Sequence, residues 1–184
     1  MNGRFLAIDP STKSVAYSVF NEKGEILEYG KIEESFFRFV SKNYLYQLII
    51  DKKINEVFIE GQFSKADVGV TQSSVGISYL IGAIFQFCYS HKIPATIIQP
   101  YKWQSFLFFH ENASSYRKSF FLNQSQNISR GRLKQLSCNL ASNLIQKKIN
   151  DNDIADSICL AIYCNKVIVN NRNISKKEFR AKVV

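Results

Sequence analysis

The sequence predicts an α/β domain, and three observations lead to this fold class. Apolar runs at residues 5–8 and 57–59 each end in an acid, as is typical of strands buried on both faces. Residues 15–20 and 25–32 flank a polar turn and predict a β-hairpin. Residues 34–50 carry apolar side chains at helical spacing. Strands that alternate with helices indicate a sheet covered by helices.

The second half of the chain continues this alternation. The spacing of apolar side chains predicts a helix over about 70–89 and another over 133–148, with a fifth strand at 95–98 between them. Residues 109–131 are polar and rich in serine and asparagine, and predict a mobile loop or a short helix. A further helix is expected from residue 153 onwards.

Length and composition favour one soluble domain. The chain has 184 residues, of which 46% are hydrophobic and 14% aromatic, and this composition excludes a disordered chain. We expect a domain over 1–165 followed by a basic tail over 166–184. The apolar stretch at 79–87 is too short to span a bilayer, and no signal peptide opens the sequence. The four cysteines lack CxxC spacing, which indicates free thiols in an intracellular protein, with no zinc site and no disulfide.

Positive charge is confined to the C-terminal half. The net charge is +9, but residues 1–100 hold ten basic and ten acidic residues, whereas 101–148 hold eight basic residues and one acid. Residues 149–165 form an acidic island of three aspartates. This segregation favours a polyanion partner, with nucleic acid first, over a basic surface that serves only solubility.

Two acids stand at the ends of buried strands. Asp9 ends the first apolar run, where Pro10 removes a backbone donor and stops the strand, and Glu60 ends the fourth strand in the same way. If these strands are parallel neighbours, as a right-handed crossover requires, both carboxylates reach one edge of the sheet. Asp9 alone could equally be a turn aspartate that caps the following loop.

Three aspartates open the last helix. Asp151 suits the N-cap, and we interpret it in this way. Asp153 and Asp156 are three residues apart and share a helix face, where their repulsion is unfavourable unless a cation lies between them. All-oxygen ligation by four carboxylates suits Mg²⁺ or Mn²⁺, one or two ions per subunit, and such ions beside a basic surface suggest phosphodiester hydrolysis.

The sequence resembles the RuvC-like Holliday junction resolvases of the RNase H-like superfamily, in particular the divergent phage and viral members. The motifs that carry the resemblance are Ala7-Ile8-Asp9-Pro10, Phe58-Ile59-Glu60-Gly61-Gln62-Phe63, Pro100-Tyr101-Lys102-Trp103 and Asp153-Ile154-Ala155-Asp156. The resemblance implies a five-stranded mixed sheet between helices, a homodimer, and Mg²⁺-dependent paired nicking of branched DNA. It also implies that the metal ligands and catalytic residues are Asp9, Glu60, Asp153 and Asp156.

The resemblance further implies DNA-binding residues. Phe63 matches the loop aromatic at the junction, and Lys102 matches a basic residue that faces DNA. From the residues alone, Phe63 could instead fill the core, and Lys102 could extend along the apolar surface beside Trp103. Arg130, Arg132 and Lys134 all compete for the place of a second family lysine, and the sequence does not choose among them.

Two other functions fit parts of this pattern. One is a ribonuclease H acting on RNA–DNA hybrid, and the other is a protein that binds junctions without cutting them. A sugar-kinase or actin-like ATPase is set aside, because those proteins need two such domains and glycine-rich phosphate loops, and the chain has eight glycines. No small-molecule cofactor is therefore expected.

Overall fold

The structure, a computed structural model, describes residues 3–61, 72–109 and 129–171. A five-stranded sheet forms its centre and has the strand order β3-β2-β1-β4-β5. The strands are β1 (Arg4–Pro10), β2 (Val15–Asn21), β3 (Ile26–Ile32), β4 (Glu56–Glu60) and β5 (Ala95–Ile98). The helices are α1 (Phe36–Ser41), α2 (Gln72–Ser90), α3 (Pro100–Phe109), α4 (Arg130–Ile145) and α5 (Asn152–Cys164).

The sheet is mixed, as expected. β2 is antiparallel to both β1 and β3, whereas β4 runs parallel to β1 and to β5. Ile8 pairs with Ile59 across the parallel β1–β4 ladder, so that the residues following them, Asp9 and Glu60, are neighbours at the carboxyl edge. The prediction that both acids reach one edge of the sheet is therefore confirmed.

Helices cover both faces of the sheet. On one face, apolar residues of β1 and β4, including Leu6 and Ile59, pack against α1 and α2. On the other face, Phe5, Phe20 and Phe58 lie together, with the Phe5 and Phe20 ring centroids 5.3 Å apart. This second face packs against α3 and α5. Alternate side chains of one strand therefore enter two different cores.

The helix predicted over 34–50 is interrupted. α1 ends at Ser41, Asn43 takes a positive φ of 62°, and the chain resumes as a π-helical segment at Tyr46–Asp51. Asparagine tolerates the left-handed conformation better than most residues, so it provides a point where the helix can break. The prediction of one continuous helix is wrong here, although Leu48 and Ile49 are buried as the spacing indicated.

The described part of the chain continues in helical conformation past the predicted domain boundary at residue 165. After α5 a π-helical segment follows at Asn165–Val169, in which Asn165 and Val169 are buried. Asn165 Nδ2 donates to the carbonyl of Glu22 at 2.9 Å, which ties this segment to the β2–β3 turn. The rest of the tail, 172–184, and most of the loop expected at 109–131 lie outside the described residues, and the division at 165 stays a prediction.

The described chain holds four free cysteines. Among the described residues, none of the helices is both long and apolar enough to cross a membrane.

Candidate active site

Asp9 and Glu60 form the centre of the candidate site. The two carboxyl groups lie on neighbouring parallel strands, at the ends of β1 and β4, and the Asp9 carboxyl group is close enough to lower the pKa of Glu60. Burial, followed by the charges of Glu60, Asp156 and Asp153, raises the pKa of Asp9 well above its usual value. Burial and the Asp156 charge raise the pKa of Glu60 to about 8. Shifts of this kind are typical of carboxyl groups that are buried and crowded together.

The environment of Glu60 contains a second unusual feature. Trp103, from the first turn of α3, is fully buried beside it, and the indole N–H lowers the pKa of Glu60 without reaching hydrogen-bonding geometry. Within the described residues, Glu60 Oε2 and Trp103 Nε1 are therefore both buried without a hydrogen-bond partner. A buried carboxylate oxygen with no partner is unfavourable unless another group binds it.

α5 brings the other acids over the sheet. Asp151 Oδ1 accepts hydrogen bonds from the backbone N–H groups of Asp153 and Ile154, at 2.9 and 3.1 Å. This geometry confirms the interpretation of Asp151 as the N-cap. Ser18 and Ser157 join β2 to α5 through a buried hydrogen bond of 2.8 Å. The helix is thereby fixed with its first turn near the edge that carries Asp9.

Asp156 is influenced both by the other acids and by basic residues of α4. Burial and the Asp153 charge raise its pKa to about 6, whereas the nearby Ser137 hydroxyl and the charges of Lys134 and Arg130 act to lower it. The Asp156 charge in turn raises the pKa of both Asp9 and Glu60. The structure thus brings Asp9, Glu60 and Asp156 into one electrostatic group, with two cations at its border.

Asp153 is engaged by a residue that the sequence analysis missed. Lys31 Nζ, on β3, lies 2.7 Å from Asp153 Oδ2 and 3.0 Å from Asp151 Oδ2. Partial burial lowers the pKa of Lys31, but hydrogen bonds to both aspartates outweigh this effect and raise the pKa above its usual value. Lys31 also acts on the centre of the site, because its charge lowers the pKa of Asp9.

The donor set suits a hard divalent cation. Asp9, Glu60 and Asp156 offer only oxygen, and the partnerless Glu60 Oε2 is the kind of atom that such a cation would satisfy. Among the described residues, however, no three His, Cys, Asp or Glu side chains are gathered around one point closely enough to hold a metal ion. The chemistry of the site therefore fits Mg²⁺ or Mn²⁺, whereas the side chains are spread and Asp153 is paired with Lys31.

Two of the predicted DNA-binding basic residues lie close enough to the acids to affect their charge, and the other two are exposed elsewhere. Arg130 and Lys134 are one helical turn apart on α4, and both lower the pKa of Asp156. Arg132 lies on a different face of α4 and is exposed. Lys102 is exposed on the first turn of α3, one residue before Trp103. Phe63 lies outside the described residues, and its contact with DNA stays a prediction.

Comparison with known proteins finds similarity at the level of structure. No protein-family model matches the sequence, and no curated protein matches it. The chain is similar to Thermus thermophilus RuvC in complex with a Holliday junction substrate, with 10% identity over 91% of this chain and 97% of that chain, and a TM-score of 0.61. It is also similar to the yeast mitochondrial Holliday junction resolvase Ydc2, with 15% identity over 96% and 84% of the two chains and a TM-score of 0.51.

A third similar structure is the fowlpox virus Holliday junction resolvase, with 16% identity over 90% of this chain and 99% of that chain, and a TM-score of 0.50. Similarity across nearly the whole length of each chain shows that this protein has the fold of RuvC-like resolvases. The predicted α/β, RNase H-like fold with a five-stranded mixed sheet is confirmed.

Proposed function

We propose that this protein is a metal-dependent, structure-specific endonuclease that resolves four-way and other branched DNA junctions by paired phosphodiester hydrolysis. One observation carries the proposal. Asp9, Glu60 and Asp156 come from three separate elements of a resolvase-like fold, and burial together with the charges of neighbouring acids raises their pKa values. Such crowding is unfavourable to stability and is typical of sites that bind a cation.

The proposed roles of the residues follow from their positions. Asp9, Glu60 and Asp156, joined by Asp153, would hold one or two Mg²⁺ ions, for which Mn²⁺ would substitute. The bound ions would supply activation of water and stabilisation of the leaving oxygen. Lys134 and Arg130 stand beside Asp156 and would orient the scissile phosphate by charge. Buried Trp103 excludes water on the Glu60 side of the site.

Basic residues around the site support DNA as the substrate. Lys102, Arg130 and Arg132 are exposed and belong to the part of the sequence in which positive charge is concentrated. Their side chains would contact phosphates without reading base sequence, which suits recognition of a branched shape. Phe63 would stack against bases at the branch point.

The surface of α2 supports a homodimer. Tyr79 and Tyr89 are 64% and 81% exposed, and a Cβ atom added at Gly82 between them would meet no atom within 4 Å. The glycine leaves room for a second helix to approach closely, and the exposed aromatic side chains offer it apolar surface to bury. Two copies related by a two-fold axis would present two sites to a four-way junction, which has the same symmetry.

Cleavage of labelled substrates tests the proposal. We would incubate the full chain with Mg²⁺ and a mobile four-way junction, a fork or an RNA–DNA hybrid, with Asp9→Asn as the control. The proposal expects symmetric paired nicks in the junction that are lost in Asp9→Asn. Preferential cutting of the hybrid would indicate a ribonuclease H, and binding without nicks in Mg²⁺ and Mn²⁺ would indicate a junction-binding protein.

A further inference from the structure

Lys31 is held between two aspartates that have different roles. Its Nζ bridges Asp153 Oδ2 and Asp151 Oδ2 at 2.7 and 3.0 Å, and its side chain is only 18% exposed. Asp151 uses its other oxygen, Oδ1, to cap α5. Asp151 is therefore a fixed partner that caps the helix end. Asp153 makes no such capping bond and is one of the four acids that the sequence predicts as metal ligands.

The register of the sheet explains how Lys31 reaches the site. Lys31 pairs with Ala16 across β3–β2, and Ala16 pairs with Asp9 across β2–β1. These three residues form one row with their side chains on the α5 face. The central member, Ala16, contributes only a methyl group and leaves room for the lysine to extend beneath α5. The positively charged side chain of Lys31 therefore lies in the same cross-strand row as Asp9.

We propose that Lys31 is a positioning residue that holds Asp153 until a divalent cation binds, and that Asp151 then keeps the lysine paired while Asp153 turns to the cation. This inference rests on the metal site of the proposed function. The four acids influence one another's charge, yet among the described residues no three of them are gathered closely enough to hold a metal ion. Pairing of Asp153 with Lys31 accounts for this spread. The exchange needs little movement, because both aspartate oxygens are already within 3.0 Å of Nζ.

The proposal predicts opposite effects of two substitutions on metal binding. Lys31→Gln removes the competitor for Asp153, and metal should bind about threefold to fivefold more tightly, as expected for loss of a partly exposed ion pair. Asp151→Asn keeps the N-cap, since asparagine caps equally well, but leaves Lys31 with Asp153 as its carboxylate partner. Release of Asp153 would then strand a partly buried charge, so metal should bind more weakly by a similar factor.

The double variant separates this exchange from a general effect of charge. If Asp151 acted only through its negative field, Asp151→Asn would weaken metal binding whether or not Lys31 were present. If Asp151 acts as the partner that keeps Lys31, the Lys31→Gln/Asp151→Asn variant should bind metal as tightly as Lys31→Gln alone. Lys31→Arg, which preserves the charge and the pairing, should resemble the wild type.

The experiment is a calorimetric titration of Mn²⁺ into the full chain without DNA, at one pH and one salt concentration. Lys52→Gln is the matched control. Lys52 is ion-paired with Glu28, which lies on β3 like Lys31 but on the other face of the sheet. Melting in the presence of a chelator checks that each variant is folded. Tighter binding by Lys31→Gln, weaker binding by Asp151→Asn and no added effect in the double variant are the expected results.

The failures of the two proposals are distinguishable. If Asp9→Asn binds Mn²⁺ as tightly as the wild type, the metal site itself is misassigned and the proposed function falls. If Asp9→Asn loses binding while Lys31→Gln binds equally or more weakly than the wild type, the metal site stands and the role of Lys31 is overturned. An equal effect of Asp151→Asn in both backgrounds also overturns that role.

Discussion

Ser18 Oγ lies 2.8 Å from Ser157 Oγ in a buried contact between β2 and α5. Ser157 Oγ itself donates to the carbonyl of Ile154, so the Ser18 hydroxyl is the donor to Ser157. Ser18 is on the same strand as Ala16, which pairs with Asp9, and Ser157 directly follows Asp156 in the chain. It therefore holds the acid-bearing helix at a fixed distance from the strand that carries Asp9.

The first prediction concerns this contact. Ser157→Ala leaves the buried Ser18 hydroxyl without its partner, which should lower the free energy of unfolding by about 1–3 kcal/mol. Ser18→Ala/Ser157→Ala removes both polar groups and should recover part of that loss. Urea denaturation of the single and double variants measures this. A double variant less stable than Ser157→Ala would show that the hydrogen bond is not what holds α5 in place.

Much of the acid centre could be predicted from the sequence because its causes are local. Asp9 and Glu60 follow apolar runs that end abruptly, and the intervening helical segment implies a parallel crossover that places them at one edge. Asp151 and Asp156 follow from the rules for capping and for spacing on one helix face. In each case a few neighbouring residues contain the whole signal.

Lys31 could not be predicted because its orientation depends on a bulge. The pairing of β2 with β3 shifts by one residue between Val19 and Phe20. Near the turn Phe20 pairs with Ile26, and that register would place Gly30 opposite Ala16 and turn Lys31 to the other face. The irregularity puts Lys31 opposite Ala16 instead. No residue pattern in the hairpin indicated where the register would change.

A second prediction concerns pH and metal. Burial and repulsion give the folded protein carboxyl pKa values of about 8 for Glu60 and about 6 for Asp156, above the unfolded values of 4.5 and 3.8. The folded state thus binds more protons than the unfolded state, and without metal its stability should fall by several kcal/mol as pH rises from about 4 to about 8. Differential scanning calorimetry in a chelator measures this slope.

Mg²⁺ should reverse that loss, because cations bind the deprotonated carboxylates and stabilise only the folded state. The rise in melting temperature on adding Mg²⁺ should therefore be larger at pH 8 than at pH 5. Asp9→Asn, which removes one charge from the group, should show a shallower pH dependence and a smaller response to Mg²⁺. A response to Mg²⁺ that is equal at both pH values would contradict this account of the acids.

A third prediction concerns the dimer. Gly82→Arg places a long charged side chain on the exposed face of α2, where the structure offers open space. The folded monomer should not lose stability, since arginine is a better helix former than glycine by about 1 kcal/mol. The second copy should be excluded, and light scattering should report half the wild-type mass. Paired nicking should fall with dimer formation, and an unchanged mass would mean that α2 does not mediate association.

A fourth prediction concerns the basic residues of α4. Affinity for junction DNA should fall steeply with salt, since each phosphate contact contributes about 0.9 to the logarithmic slope. Arg130→Gln and Lys134→Gln should each reduce that slope by about one. Lys23→Gln, in the exposed β2–β3 turn at the opposite end of the sheet, is the matched control and should leave the slope unchanged. A slope that none of these substitutions alters would place the DNA elsewhere.

The most direct measurement is the single-turnover rate of junction cleavage in Mg²⁺ for the wild type and four acid variants. These are Asp9→Asn, Glu60→Gln, Asp153→Asn and Asp156→Asn, with Glu28→Gln, a carboxylate on the opposite face of β3, as the control. We expect each acid variant to lose cleavage by about a hundredfold or more, with junction affinity retained or increased and Glu28→Gln unaffected. Wild-type cleavage by any one of the four would contradict the assignment of that acid to the metal site.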